Sequence, residues 1–201
     1  MDELNFDVLI NKDNLLSKDY IPKNLVILDD NKNNFHKYYN PLLKPMVRKD
    51  IIPDLNDMLS SVKENGLEII VDSGYRSYEY QEIVFNKFVK KYGMDVATHL
   101  AAYPGQSEHQ SGLCFDIAYL YDGIYNDNVK ETDKEILWMM ENSYKYGFIL
   151  RYPKGKEDVT GYNFEPWHYR YVGKKLAKIL YENNDTLEEY YQKKHNKINN
   201  I

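Results

Sequence analysis

From residue 51 the apolar positions Ile51, Ile52, Leu55, Met58, Leu59 and Val62 recur at the spacing of one helical face. They predict a helix capped by Asp50, with Pro53 in the first turn, where a missing N–H costs nothing, and Gly66 as its stop. The apolar run at 67–71 reads as a buried strand that delivers the loop Asp72-Ser73-Gly74-Tyr75-Arg76-Ser77. A second stripe, Gln81, Val84, Phe85 and Phe88, predicts a helix over 77–92 ended by Gly93, and a shorter helix follows over 95–102.

The period then changes. Over 113–119, Leu113, Phe115 and Ile117 alternate with Cys114, Asp116 and Ala118, as in a strand with one face in the core. Residues 121–130 read as a polar loop or hairpin. Thr132-Asp133-Lys134-Glu135 has the form of a capping box, opening a helix with Ile136, Leu137, Met140 and Tyr144 inward and Gly147 at its end. Strands are expected at 148–152 and 165–172, the second at an edge or bulge because of Pro166, with a turn at Pro153-Lys154-Gly155 between them. Two short helices, 174–181 and 186–194, close the chain. Residues 1–45 show no helical period, and the Asp29 to Asn34 stretch is turn chemistry. They predict an extended arm with a short strand at 25–28. Helices and strands mix without regular alternation, so the chain is expected to be α+β. One domain over 1–201 is expected, made of an N-terminal arm (1–45), a catalytic core (46–173) and C-terminal helices (174–201).

Composition narrows the function. With 201 residues, 43% of them hydrophobic, the chain can bury one sizeable core. Its 26 Lys and Arg are scattered among 31 Asp and Glu for a net charge of −5, which argues against nucleic-acid binding. Cys114 is the sole cysteine, so no internal disulfide forms. No stretch approaches the ~20 apolar residues of a membrane span. The first residues are acidic where a signal peptide is basic, so the chain as written is expected to be cytoplasmic, or to act at the outer face of the envelope if an export segment precedes it. The 20 tyrosines read as amphipathic residues at the core's edge.

Two segments carry the chemistry: Ser107-Glu108-His109-Gln110-Ser111-Gly112-Leu113-Cys114-Phe115-Asp116, and Glu165-Pro166-Trp167-His168. Together they offer two imidazoles, a carboxylate and a further glutamate. Three protein ligands leave a fourth tetrahedral position on zinc for water, and a carboxylate outside the metal shell can take its proton. Asp116 projects beside the small Cys114 and Ala118, His109 can fold back over that strand face, and His168 shares a face with Arg170. Glu165 falls nominally on the opposite face unless Pro166 supplies a bulge. His36, His99 and His195 lie outside such motifs and read as surface or hydrogen-bonded core residues rather than ligands.

The combination Ser107-x-His109-x-x-Gly112-x-x-x-Asp116, then Glu165-x-Trp167-His168, with Ser73-Gly74-Tyr75-Arg76-Ser77 upstream, resembles the zinc D-alanyl-D-alanine carboxypeptidases of the VanY type. These are related to the D,D-dipeptidases and the hedgehog fold, and the likeness spans the chain, including Tyr146 to Pro153 and Arg170 to Gly173. The resemblance implies a small antiparallel sheet with helices around it and one zinc ion per chain held by His109, Asp116 and His168. It implies Glu165 as general base and then acid, Arg76 as substrate and oxyanion ligand, and Ser107 and Gln81 lining the pocket for the terminal D-alanine. The partner it implies is a peptidoglycan precursor or stem peptide ending in D-alanine, with vancomycin resistance a further expectation. Cys114 stands where the family usually has alanine. Within the family, L,D-carboxypeptidase and bifunctional D,D-dipeptidase/carboxypeptidase activities share these motifs. A two-His-one-carboxylate iron oxygenase has the same ligand types, but Glu165 argues for hydrolysis; a non-catalytic zinc-stabilised binding module has no use for Glu165 or Arg76.

Overall fold

The computed structural model describes residues 4–28, 44–121 and 124–199. Its centre is an antiparallel sheet in which β3 (Ile69–Ser73), β4 (Cys114–Tyr121), β7 (His168–Tyr171) and β6 (Phe148–Leu150) lie side by side in that order. β5 (Ile124–Asn126) pairs with the far end of β4 through Tyr119↔Asn126, so the 121–130 segment contains a hairpin strand. A separate ribbon joins β1 (Leu25–Ile27) to β2 (Met46–Arg48) and ties the arm to the body. The fold is α+β, as expected.

Leu113, Phe115, Ile117 and Tyr119 point to one side of the sheet and pack on α1 (Ile52–Glu64), through Leu55, Met58 and Val62, and on α4 (Lys134–Asn142), through Ile136 and Met139. At about 1.5–3 kcal/mol per fully buried large apolar side chain, this layer is the main reason the sheet stays in register. The other face of β4 carries Cys114 and Asp116, and over it lie α2 (Tyr78–Tyr92) and α3 (Met94–Leu100). A second cluster, Ile149, Val172, Leu176, Ala177, Leu180 and Leu187, docks α6 (Lys174–Asn183) and α7 (Leu187–Asn199).

Several local expectations change. Asp50 does not cap α1: a 3-10 turn, Lys49–Ile51, leads into it and the Asp50 carboxylate binds Arg48 instead. The capping box does not form either. Asp133 occupies the cap position, and its carboxylate accepts from Tyr119 and from the Lys130 backbone. α4 buries Glu135 and turns Leu137 outward. In α2, Ser77 caps Tyr80 N–H and the buried stripe narrows to Gln81 and Phe85. The strands at 67–71, 148–152 and 165–172 shift or shorten to β3, β6 and β7, and a short helix, α5 (Glu157–Thr160), follows the turn after β6. The turn expected at 29–34 lies outside the described residues. Among the described residues no helix is long and apolar enough to cross a membrane.

Candidate metal centre

Pairing of β4 with β7 sets Asp116 directly opposite His168, so both side chains leave the same face, and His168 Nδ1 lies 2.9 Å from Asp116 Oδ1. A bulge between Val71 and Ser73 ends β3 beside Asp116 and launches the loop that carries Arg76. Its Nη2 sits 2.6 Å from Asp116 Oδ2 and 2.8 Å from His109 Nε2. Nε donates to Ser73 Oγ, and Nη1 to Gln81 Oε1 at 3.3 Å. Gly74 permits this arrangement, because a Cβ there would lie 2.2 Å from the Met46 carbonyl oxygen.

His109 arrives on a 3-10 turn, Glu108–Ser111, that closes at Gly112 with φ of 66°. Its Nδ1 lies 2.6 Å from the Gly74 carbonyl oxygen. A carbonyl only accepts, so Nδ1 carries the proton and Nε2 turns toward Asp116 Oδ2, 3.3 Å away. Ser107 is buried at the head of the same turn, and Gln81 donates to the Ala102 carbonyl across the cleft.

Glu165 precedes β7 rather than lying within it. Its backbone N–H binds the Tyr152 carbonyl and its own carbonyl accepts from His168 N–H, so Pro166 sits in a turn and no bulge is needed. The carboxylate faces the cleft with Oε2 4.0 Å from His168 Nδ1. The cleft, of about 370 Å³, is lined by Arg76, Gln81, Ser107, His109, Asp116, Glu165 and His168, the seven residues singled out above, together with Tyr152, Tyr162 and Trp167. His99 and His195 are exposed, and His36 lies outside the described residues.

Burial pushes the Glu165 carboxyl up to about 7, with Asp116 adding to the rise and His168 and Arg76 opposing it. This group favours the folded state below its unfolded pKa of 4.5, and that advantage is lost as pH rises through about 7. With metal chelated, Glu165→Gln should therefore be more stable than the parent above pH 7, by on the order of 3 kcal/mol, and level with it at pH 4. Urea unfolding at the two pH values checks this; equal stability at both would show an ordinary, solvated carboxylate.

Among the described residues His109, Cys114 and His168 offer donor atoms within 4.8 Å of one another, all buried, and the Asp116 oxygens reach both imidazoles. Burial alone would raise the Cys114 thiol, but the two histidines bring it down to about 7. Both imidazoles lose charge stability by burial, yet Cys114 and Asp116 carry their pKa values upward. A nitrogen, carboxylate and sulfur donor set around a pre-oriented His109 Nε2 fits a borderline ion such as zinc.

One set of residues was not read from the sequence. Glu108 Oε1 accepts from Arg151 Nε at 2.8 Å and from Arg170 Nη1 at 2.6 Å, all three side chains being fully buried. Arg151 also pairs with Glu188 of α7 at 2.6 Å. Burial opposes the charge on Glu108, but the two arginines hold its carboxyl well below the usual range. Arg170 inside a strand otherwise made of ring-bearing residues was the available signal, since an arginine placed there must have a buried partner.

A profile of the VanY D-alanyl-D-alanine carboxypeptidases matches residues 44–174. A D-alanyl-D-alanine carboxypeptidase of Enterococcus faecalis is 42% identical over 150 residues, 70% of this chain and 53% of that protein, so the chain spans about half the length of that relative. Among solved structures, the LdcB LD-carboxypeptidase, whose structure describes peptidoglycan recognition, superposes with a TM-score of 0.81 at 42% identity, covering 92% of this chain and 84% of that one. A glutamate-to-alanine variant of VanY from a VanB-type resistance cassette, solved with Zn(II), gives a TM-score of 0.72 at 32% identity over 92% and 98% of the two chains. The profile match and the conserved architecture make this chain a metallopeptidase of the VanY D-alanyl-D-alanine carboxypeptidase family.

Proposed function

We propose that this protein removes the C-terminal D-alanine from peptidoglycan precursor or stem peptides, with one zinc ion held by His109, Asp116 and His168. The observation that carries the reading is that Asp116 meets both imidazoles, Oδ2 lying 3.3 Å from His109 Nε2 and Oδ1 2.9 Å from His168 Nδ1, with the protonatable Glu165 carboxyl at the same cleft wall. Bound there, zinc supplies Lewis acidity to the scissile carbonyl and to the attacking water.

The remaining work belongs to the chain. Glu165, with a pKa placed near neutrality by burial, takes the proton from the water and returns it to the leaving amine of D-alanine. His109 Nε2 has one lone pair and cannot accept from Arg76 and bind a metal together. A metal on His109 Nε2 therefore ends its contact with Arg76, and the guanidinium, steadied by Ser73, Gln81 and Asp116, faces the cleft for a substrate carboxylate or the developing oxyanion. Ser107 and Gln81 form the wall beside it.

Cys114 competes with Asp116 for the third ligand position, and the thiol lies deeper, where β4 pairs with Arg170. Cys114→Ala should keep its zinc and its turnover; metal analysis that finds the ion gone would transfer the third ligand to the thiol.

The likeness to LdcB favours a second reading, an L,D-carboxypeptidase acting on the tetrapeptide stem. D-alanine release by zinc-loaded protein from a muramyl pentapeptide, the matching tetrapeptide and free D-Ala-D-Ala separates the two and detects dipeptidase activity. Pentapeptide turnover supports the D,D reading, tetrapeptide turnover alone supports the L,D one, and no release from any of the three overturns both.

A further inference from the structure

Two buried polar atoms without a hydrogen-bond partner face each other in this protein: Glu108 Oε2 and His168 Nε2, 3.6 Å apart. Buried polar atoms are nearly always paired, so an acceptor and a potential donor left over at this distance mark a contact that closes with a movement of a few tenths of an ångström. Glu108 cannot swing elsewhere. Its other oxygen is clamped by Arg151 and Arg170. Arg170 is in turn fixed by the carbonyls of Phe6, Val8 and Tyr171, and Arg151 by Glu188, which Asn11 also contacts.

We propose that Glu108 is a positioning residue that accepts the Nε2–H of His168 and so fixes the imidazole in the tautomer whose Nδ1 lone pair faces the cleft. This rests on the reading of His168 as a metal ligand. Without a metal the 2.9 Å contact between Nδ1 and Asp116 Oδ1 calls for a proton on Nδ1 as well; a metal ion displaces that proton, and Glu108 keeps the one on Nε2, so the lone pair is freed at Nδ1 and not at Nε2. The two histidines are then locked in opposite senses. The Gly74 carbonyl holds the proton of His109 on Nδ1 and frees Nε2, while Glu108 holds that of His168 on Nε2 and frees Nδ1. Through the arginines, the Phe6 and Val8 carbonyls of the arm and Glu188 of α7 are tied to Glu108 Oε1, the oxygen turned away from His168.

Heteronuclear NMR of the zinc-loaded wild-type protein, labelled with nitrogen-15, reads the tautomer without any substitution. His168 should be protonated at Nε2 and metal-shifted at Nδ1. Glu108→Gln should weaken zinc binding about 10- to 100-fold in competition with a chromophoric chelator and broaden or move the Nε2–H signal. Glu188→Gln, which leaves Glu108 beside His168, should lower the melting temperature and keep both zinc affinity and tautomer. The inference is overturned if zinc sits on His168 Nε2, if Glu108→Gln keeps wild-type affinity and tautomer, or if both variants lose zinc equally. Wild-type protein that takes up no zinc would remove the metal-site reading itself, and this inference with it.

Discussion

Glu165→Gln is expected to keep its zinc and to lose about 10²–10⁴-fold in turnover of a D-alanine-terminated peptide, because the substitution preserves shape and removes only the proton carrier. The geometry separates the two effects. Oε2 of Glu165 is 4.0 Å from His168 Nδ1, whereas the Asp116 oxygens lie at 2.9 and 3.3 Å from the imidazoles, so the ligand atoms cluster without it. Its backbone is held by Tyr152 and His168 independently of the side chain, and the turn should survive the change. Metal analysis alongside steady-state kinetics reads both quantities. Near-normal turnover would take Glu165 out of the chemistry, and loss of zinc would make it a ligand.

The largest expected effect on stability is at Arg170. Arg170→Ala should destabilise the fold by about 3–5 kcal/mol, since it strips one of two cations from a fully buried carboxylate. It also leaves the carbonyls of Phe6, Val8 and Tyr171 without their donor. For a chain of this size the melting temperature should fall by roughly 10 °C. Lys154→Ala, which breaks an exposed pair with Glu131, should cost about 1 kcal/mol or less and serves as the control. If the two variants melt together, the buried network contributes no more than a surface pair.

The legible features were those whose cause lies within a few residues. Alternation at 113–119 placed Leu113, Phe115 and Ile117 in the core and Asp116 on the other face, because a strand has a period of two wherever it goes. The stripes that became α1 and α2, and the stops at Gly66 and Gly93, were equally local. Capping was less so. Asp50 and Thr132 looked like caps, but Asp50 answers to Arg48, and Asp133 took the second cap position while binding Tyr119, and those partners are chosen by tertiary contact. The hydrophobicity of Leu137 points it inward, yet the packing of α4 turns Glu135 inward and leaves Leu137 exposed.

By itself the sequence determined most of the element types, the α+β class and the candidate donor residues, since periodicity and motif spacing are properties of neighbours along the chain. Only the tertiary structure decided which donors meet and in what state. The β4 to β7 register sets Asp116 against His168, the close approach at Gly74 orients His109, and burial carries Glu165 toward neutrality. It alone disclosed the Glu108, Arg151, Arg170 and Glu188 network, whose members come from four separate segments. The arginine within the strand at 168–171 is the one local hint and names no partner; charges so far apart in sequence become one unit only where folding removes the water between them.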